Sequence, residues 1–278
     1  HILLDSLQKI CLMHGMEVDY YKKLFQTIGN IIVLIEKDDI PKYRLFLENA
    51  FPYMDNYNYY KGMNGIIQEL TGLLKTKNIG TDSDRALLLD FQATLETKPE
   101  KAIKLEKDAL AQIENITADN ARLVSNLHAN LGGLYRMNGH PDLAREHMEK
   151  SISLLDQFNL LHINDSIPQI ANYAMFLTEQ QEPERGISEL QKLSGIIKEY
   201  HSDDCLDYAK VQETLGTIYL MTANLPQAKT HFKKAFKIYE KIWADEPEMI
   251  EAKYQEIQEL YPQIGFCIGK NLSGLLTK

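Results

Sequence analysis

The sequence predicts an all-α fold, a solenoid built from antiparallel helix pairs. Two observations carry this prediction. Small residues recur every 42 positions along the middle of the chain, within segments whose apolar residues have helical spacing. A proline opens the second helix of each predicted pair, where its missing N–H would have no intrahelical partner. A fixed period over several units is typical of a repeat protein, in which each unit packs on its neighbours.

Three sets of residues follow this period. In the predicted first helix of each pair the set is Asp90, Gly132, Ala174 and Gly216. In the predicted second helix the set is Ala102, Ala144, Gly186 and Ala228. The prolines are Pro99, Pro141, Pro183 and, displaced by one residue, Pro226. Because small side chains take little space, we expect the two helices of a pair to approach closely at these positions.

The chain divides into three predicted parts. Residues 1–80 contain the amphipathic segments VDYYKKLFQTIGNIIVLIEK, IPKYRLFLENAF and YYKGMNGIIQELTGLLK, which predict degenerate helical repeats or an N-terminal helical bundle. Residues 81–246 hold four repeats. Residues 247–278 predict a degenerate repeat or a C-terminal cap, with a helix at 247–262 and a closing helix in IGKNLSGLLTK. Since no linker rich in Gly, Ser or Pro separates these parts, the sequence predicts one continuous solenoid.

Composition narrows the classes of partner. Lys and Arg number 30 against 39 Asp and Glu, and the net charge of −9 argues against a nucleic-acid or anionic-membrane surface. No apolar run is long enough to span a bilayer. The three cysteines are far apart and form no C-x-x-C pair, which favours a reducing compartment. Together with the composition, this predicts a cytoplasmic and bacterial protein.

Catalytic and cofactor motifs are not evident. The histidines show no metal-ligand spacing, and NLGGLYRMNG lacks the preceding strand and the G-K-[ST] of a phosphate loop. The sequence therefore predicts no enzyme activity and no cofactor. The tyrosine-rich stretch FPYMDNYNYY, residues 51–60, is either an interface patch or a segment of core and turn.

Two of the units resemble a known repeat. The residues that carry the resemblance are Leu131, Gly132, Tyr135 and Ala144 in one unit, and Leu215, Gly216, Tyr219, Ala228, Phe232 and Ala235 in another. This pattern resembles the tetratricopeptide repeat (TPR), and Gly139 stands in the turn where that family often has glycine. The family's usual period is about 34 residues. The longer period of 42 is similar to that of kinesin light chains and of many bacterial multidomain proteins.

The resemblance implies a right-handed superhelical solenoid, with a concave ligand-binding groove lined by the first helices. Helical spacing predicts the groove residues Asn126, Asn130, Arg136, Asn172, Met175, Lys210, Thr214 and Thr217. Asn130 and Asn172 are one period apart, and Thr214 continues the row. An asparagine amide both donates and accepts hydrogen bonds, so such a row resembles the asparagine ladder with which related repeat proteins grip an extended peptide.

Other interpretations of the same residues stay open. The asparagines can be solvated or bonded to a neighbouring turn. Arg136 and Lys210 can meet a ligand carboxylate or lie on a solvated surface. Met137, Met175 and Met221 can form an adaptable apolar floor or belong to the core.

Two functional classes are predicted. The first is a non-enzymatic scaffold that binds a protein or peptide segment in the groove, as part of a larger bacterial protein. The second is a sensory or regulatory module that binds a signalling peptide and controls an attached effector, such as a transcription regulator, an ATPase or a signalling enzyme. Self-association is a further hypothesis, because terminal repeats must be capped or paired.

Overall fold

The computed structural model describes residues 67–68, 71–72, 80–163 and 166–260. Within these residues the chain forms nine α-helices and no strand, which confirms the all-α prediction for this part of the chain. The helices are α1 (Asp82–Leu95), α2 (Pro99–Leu110), α3 (Ala121–Met137), α4 (Pro141–Gln157), α5 (Ser166–Glu179), α6 (Pro183–Tyr200), α7 (Leu206–Met221), α8 (Leu225–Ile242) and α9 (Pro247–Leu260). The tyrosine-rich stretch and the predicted closing helix lie outside the described residues.

The helix ends keep the period of the sequence. The first helices α1, α3, α5 and α7 end at Leu95, Met137, Glu179 and Met221, and the second helices α2, α4, α6 and α8 begin at Pro99, Pro141, Pro183 and Leu225. Pro226 is therefore the second residue of α8, and its displacement leaves the start of the helix in phase. Proline fits either position, because the first N–H groups of a helix have no intrahelical acceptor.

Three of the turns within pairs have the same backbone conformation. Each contains one residue in the left-handed region: Gly139 with φ 73°, Gln181 with φ 64° and Ala223 with φ 59°. In each turn the next N–H group, of His140, Glu182 or Asn224, donates to the carbonyl of Tyr135, Leu177 or Tyr219 at 2.9, 2.8 and 2.7 Å. These bonds form Schellman motifs, which satisfy the last carbonyl groups of the first helices.

Side chains also cap the starts of helices. At α1, the Asp84 N–H donates to Thr81 Oγ1 at 3.1 Å and the Thr81 N–H donates to Asp84 Oδ2 at 2.7 Å. This reciprocal pair is a capping box, which satisfies two N–H groups at once. At α8, Asn224 Oδ1 accepts from the Gln227 N–H at 3.4 Å. The Asn224 cap therefore favours a helix start at the same place as Pro226, and the Thr81 cap marks the start of α1, where there is no proline.

The chain divides into two compact units, residues 1–140 and 141–278. In the first unit α1 contacts α2, and α3 contacts both. In the second unit α5 packs on α6 and α7 on α8, while α5 also contacts α7. The core of the second unit is continuous from Leu155 to Ile257, and its largest fully buried side chains are Phe176, Phe232 and Tyr239.

The small residues of the second unit lie where helices touch. A Cβ atom at Gly186 of α6 would come within 2.6 Å of the Ala174 carbonyl oxygen of α5. A Cβ atom at Gly216 of α7 would come within 2.9 Å of the Phe232 ring of α8. These contacts confirm the prediction of close approach within a pair. The described helix α9 covers residues 247–260 of the helix predicted at 247–262.

Candidate functional site on the first helices

The predicted groove residues lie on α3 in the first unit and on α5 and α7 in the second, and each unit's set is called here its first-helix surface. In the second unit, Asn172 of α5 is exposed and makes no hydrogen bond or ion pair with another described residue. Its amide therefore keeps both donor and acceptor groups for a ligand. Since α5 contacts α7, Asn172 and Thr214 lie on neighbouring first helices of the same unit.

The polar residues of α7 are partly engaged within their own helix. Thr214 Oγ1 donates to the Lys210 carbonyl at 3.0 Å, and Thr217 Oγ1 donates to the Glu213 carbonyl at 3.1 Å. Both hydroxyl oxygens can still accept a hydrogen bond. Lys210 is exposed, and its Nζ lies 3.9 Å from Asp207 Oδ1, an ion pair that contributes little at the surface.

The methionines have different environments. Met175 is half-buried and packs against the core of the second unit. The side chains of Met137 and Met221, in contrast, are 81% and 43% exposed at the ends of α3 and α7. The two interpretations offered for these residues therefore apply to different members of the set.

In the first unit the predicted residues lie on α3. Asn126 and Arg136 are half-exposed, and both side chains already have interaction partners. Asn130 is exposed, but its amide points its nitrogen into the unit: Nδ2 donates to Asp90 Oδ1 at 2.8 Å and to Glu106 Oε1 at 3.2 Å. Asn130 therefore bonds to a first helix and a second helix of the preceding pair.

Asp90 and Glu106 form a buried carboxyl pair. The two residues are 8% and 1% exposed, and both accept a hydrogen bond from the Asn130 amide. Burial raises the pKa of both carboxyls, and the charge of Asp90 raises the pKa of Glu106 further. Two adjacent carboxylates cannot both be charged at low cost, so burial and mutual repulsion favour a pair that keeps one shared proton.

The repeat period shows how unusual this pair is. Asp90 corresponds to Gly132, Ala174 and Gly216, and Glu106 corresponds to Met148, Leu190 and Phe232. The later repeats thus have a small residue and a large apolar one at these positions, and Gly216 contacts Phe232, whereas the first described pair has two acids there. In the sequence, Asp90 stands out only as one of the four residues of the first periodic set. The signal that could have revealed the pair was a carboxylate at a position that is otherwise Gly or Ala.

A second polar cluster, which the sequence analysis missed, joins α4, α5 and α6. The Tyr173 hydroxyl donates to Glu149 Oε1 at 2.8 Å and accepts from Arg185 at 3.2 Å. Glu182 accepts from Arg145 at 2.5 Å and from Arg185 at 2.6 Å. Hydrogen bonds from Arg185 and then Arg145 lower the pKa of Glu182. The charged groups of this cluster satisfy one another, so it serves to join neighbouring helices.

A third cluster joins α7, α8 and α9. Glu213 accepts from the Tyr239 hydroxyl at 2.5 Å and from Lys253 Nζ at 3.0 Å. Burial lowers the pKa of Lys253, but the carboxylates of Glu213 and Glu256 raise it by more, so its net pKa is raised. This cluster joins α9, the first helix of the next predicted pair, to the preceding pair α7 and α8.

The described residues contain neither a metal-binding cluster nor a membrane-spanning helix. No group of three or more His, Cys, Asp or Glu side chains is arranged there to hold a metal ion. No described helix has both the length and the apolar composition needed to cross a bilayer.

Comparison with known families identifies the repeats. Residues 166–241 match the tetratricopeptide repeat family. They span α5 to α8, two helix pairs that each have a Schellman turn and a close contact at a small residue. Residues 166–241 therefore carry tetratricopeptide repeats. The described part of the chain has an all-α, TPR-like solenoid fold, as the sequence predicts.

Solved TPR-like structures are similar to the chain at low sequence identity. BtubC (BKLC) from P. vanneervenii is 16% identical, with a TM-score of 0.51, over 83% of this chain and 84% of that one. A kinesin light chain from Podosopora anserina is 15% identical, with a TM-score of 0.52, over 70% and 96%. A Rap protein complexed with Competence and Sporulation Factor is 15% identical, with a TM-score of 0.54, over 96% and 76%. These likenesses show the fold alone. No curated protein sequence matches the chain.

Proposed function

We propose that the chain is a non-enzymatic scaffold that binds a protein or peptide segment in the concave groove of its TPR solenoid. The observation that carries this proposal is the position of Asn172 and Thr214. They lie one period apart on two first helices that contact each other, and both keep polar atoms outside the core. A bound segment that runs across the helices would meet one such residue in each repeat.

The chemistry of these residues suits an extended peptide. An amide such as that of Asn172 can pair with both the N–H and the C=O of a peptide backbone, and a threonine hydroxyl can accept from an N–H. Each contact contributes modestly, on the order of 1 kcal/mol. Affinity then depends on the number of repeats that the peptide crosses, which suits a rigid repeat surface.

A sensory or regulatory module is the second candidate function. The observation that favours it is the likeness to the Rap protein, which covers 96% of this chain and was solved in complex with Competence and Sporulation Factor. In this alternative the chain binds a signalling peptide and controls an attached transcription regulator, ATPase or signalling enzyme. A peptide that changes the activity of such an effector when it binds would favour the module over the scaffold.

The remaining features of the proposal follow from composition. With a net charge of −9, the chain is expected to bind neither nucleic acid nor anionic membranes directly. We place it in the cytoplasm of a bacterium, without a cofactor. Self-association is a separate hypothesis, which sedimentation of the purified chain at several concentrations tests directly.

Selection from a random peptide display library tests the binding surface. We expect enrichment of peptides whose affinity for Asn172→Ala plus Thr214→Ala is lower by about tenfold, which corresponds to about 1.4 kcal/mol. The matched control is Ser153→Ala plus Gln191→Ala, which removes two exposed polar side chains from the second helices α4 and α6 of the same unit. The control is expected to bind as the unmodified chain does. Enrichment of no peptide, or equal losses in both variants, would reject the proposed groove.

A further inference from the structure

The orientation of Asn130 distinguishes it from Asn172, its counterpart one period on. Both of its amide protons have an acceptor inside the first unit, because Nδ2 lies 2.8 Å from Asp90 Oδ1 and 3.2 Å from Glu106 Oε1. The Asn130 carbonyl oxygen has no partner among the described residues, although the residue is exposed. The amide must point its nitrogen inward, since a carboxylate oxygen such as Asp90 Oδ1 can only accept.

Within the carboxyl pair, Glu106 Oε2 is buried and has no hydrogen-bond partner among the described groups. A shared proton accounts for it. If Oε2 carries the proton and donates it to Asp90, then Glu106 Oε1 is a carbonyl oxygen free to accept from Asn130. Asp90 then accepts from both Glu106 and Asn130, so that all three side chains are satisfied.

We propose that Asp90 and Glu106 are positioning residues for Asn130, which hold its amide nitrogen inward and its carbonyl oxygen outward. This position of the first-helix surface therefore accepts a hydrogen bond from a bound peptide and donates none. The ligand group selected there is an N–H donor, either a backbone amide or a nitrogen-bearing side chain. The inference rests on the proposed function for the ligand, but the orientation of Asn130 does not.

Asp90 and Glu106 occupy positions at which the other pairs have no acidic residue, which supports a role for these two acids beyond packing. The equivalents Gly216 and Phe232 fill the same space in direct contact, with no polar atom to satisfy. Burying two carboxyls costs stability unless each is fully hydrogen-bonded. The pair is nevertheless connected to one exposed side chain, that of Asn130. An apolar pair at these positions would leave Asn130 free to rotate, as Asn172 is.

Side-chain amide signals in an NMR spectrum of the whole chain test the orientation. The Asn130 and Asn172 signals are assigned by their loss in Asn130→Ala and Asn172→Ala. We expect the Asn130 NH2 protons to be shifted from those of Asn172 and to exchange with water more slowly. In the variant Asp90→Gly plus Glu106→Leu, which has the residues of the other pairs, the Asn130 signals should move to those of Asn172. In Glu106→Gln they should stay, because a glutamine can accept from Asn130 and donate to Asp90.

Matching signals for Asn130 and Asn172 in the unmodified chain would overturn the inference, as would an Asn130 signal that ignores Asp90→Gly plus Glu106→Leu. Helical circular dichroism of each variant shows that the fold is retained. The inference and the proposed function fail separately. If no peptide is enriched from the library the function fails, while the amide signals still decide the orientation.

Peptides selected from the random library test the selectivity of this position. Each backbone N–H is replaced in turn by N-methyl, which removes the donor. At one position of the peptide, we expect N-methylation to lower the affinity for the unmodified chain by about tenfold. The same change should lower the affinity for Asn130→Ala, or for Asp90→Gly plus Glu106→Leu, only a little. Where side chains supply the donor, replacement of that side chain should show the same pattern. Binding that is indifferent to Asn130→Ala, or losses that are equal in all three proteins, would refute the donor selectivity.

Discussion

One glycine in α6 shows how tightly the helices of a pair are packed. A methyl group at Gly186 would come within 2.6 Å of the Ala174 carbonyl oxygen, which belongs to the backbone and cannot rotate away. We therefore expect Gly186→Ala to lower the free energy of unfolding by about 1–3 kcal/mol. Gly195 in the same helix has no atom within 4 Å of its would-be Cβ, so Gly195→Ala should be neutral or stabilising. Urea unfolding of the two variants makes the comparison, and equal effects would contradict close packing at residue 186.

The buried carboxyl pair makes the stability of the first unit depend on pH. The pKa of Asp90 is raised to about 6 and that of Glu106 to about 10, so the folded state binds more protons than the unfolded chain does. The resulting stabilisation is fully present below about pH 4, where both carboxyls are protonated even when unfolded. It is lost as the pH rises through the two raised pKa values. The expected slope is at most about 1.4 kcal/mol per pH unit for each proton.

The variant Asp90→Gly plus Glu106→Leu supplies the reference for this measurement. Hydrogen exchange of α1–α3 amides reports the stability of the first unit in both proteins, after correction for the intrinsic exchange rate at each pH. The advantage of the unmodified chain should shrink with rising pH and reverse. A constant difference from pH 4 to pH 10 would show that the pair does not share a proton.

At the scale of the residue, the sequence predicted the small-residue contacts but not the polar clusters. Gly186 and Gly216 could be found because close approach excludes side chains and leaves a repeated mark. The bonds of Asn130 with Asp90 and Glu106 join residues from three helices, and no spacing along one helix reveals such a contact. The predicted roles of Asn126, Arg136 and the α7 residues in binding stay predictions.

Two of the turns within pairs have a residue other than glycine in the left-handed conformation. Gly139 tolerates its left-handed backbone, but Gln181 and Ala223 adopt the same conformation with a Cβ atom. We expect Ala223→Gly to raise the free energy of unfolding by about 0.5–1 kcal/mol, because the strain of the left-handed residue is about 1 kcal/mol and glycine loses some entropy. Gly139→Ala should have the opposite effect. Thermal unfolding of both variants shows whether Ala223→Gly stabilises the fold and Gly139→Ala destabilises it.

The last described helix depends on a half-buried ion pair. Lys253 and Glu213 are 21% and 19% exposed at their side chains, and Lys253 is the contact from α9 to the acid that also binds Tyr239. Lys253→Ala is expected to cost about 1–2 kcal/mol, between the values for exposed and buried pairs. The loss should be visible as faster hydrogen exchange in α9. A matched change at the exposed Lys237, Lys237→Ala, should leave α9 unaffected.

The periodic elements were well predicted because prolines and small residues are local signals. The one-residue displacement of Pro226 does not change where α8 begins, because proline fits both of the first two positions of a helix. The Schellman turns at Gln181 and Ala223 were not foreseen, because neither residue type favours a left-handed conformation. The tertiary packing of the pairs imposes it.

For the whole molecule, a repeat array is expected to transmit a local change only to its neighbours. The destabilisation caused by Gly186→Ala should therefore speed hydrogen exchange in α5 and α6 most, in α7 less, and in α1 and α2 not at all. Exchange that accelerates equally in every helix would show that the chain unfolds as one cooperative body. The predicted division into 1–80, 81–246 and 247–278, and its continuity as one solenoid, stay predictions.

The constant turns and the variable joins between pairs have a consequence for engineering. Each turn within a pair has three residues, between Leu95 and Pro99 and at the three equivalent places. The joins between pairs differ in length: α2 ends at Leu110 and α3 begins at Ala121, whereas α8 ends at Ile242 and α9 begins at Pro247. Among the described helices, the length thus varies in the joins between pairs and not in the turns within them. A reporter loop or an epitope grafted into the join after α2 should leave the scaffold intact, while the same graft at Ala223 would break the phase on which every later helix depends.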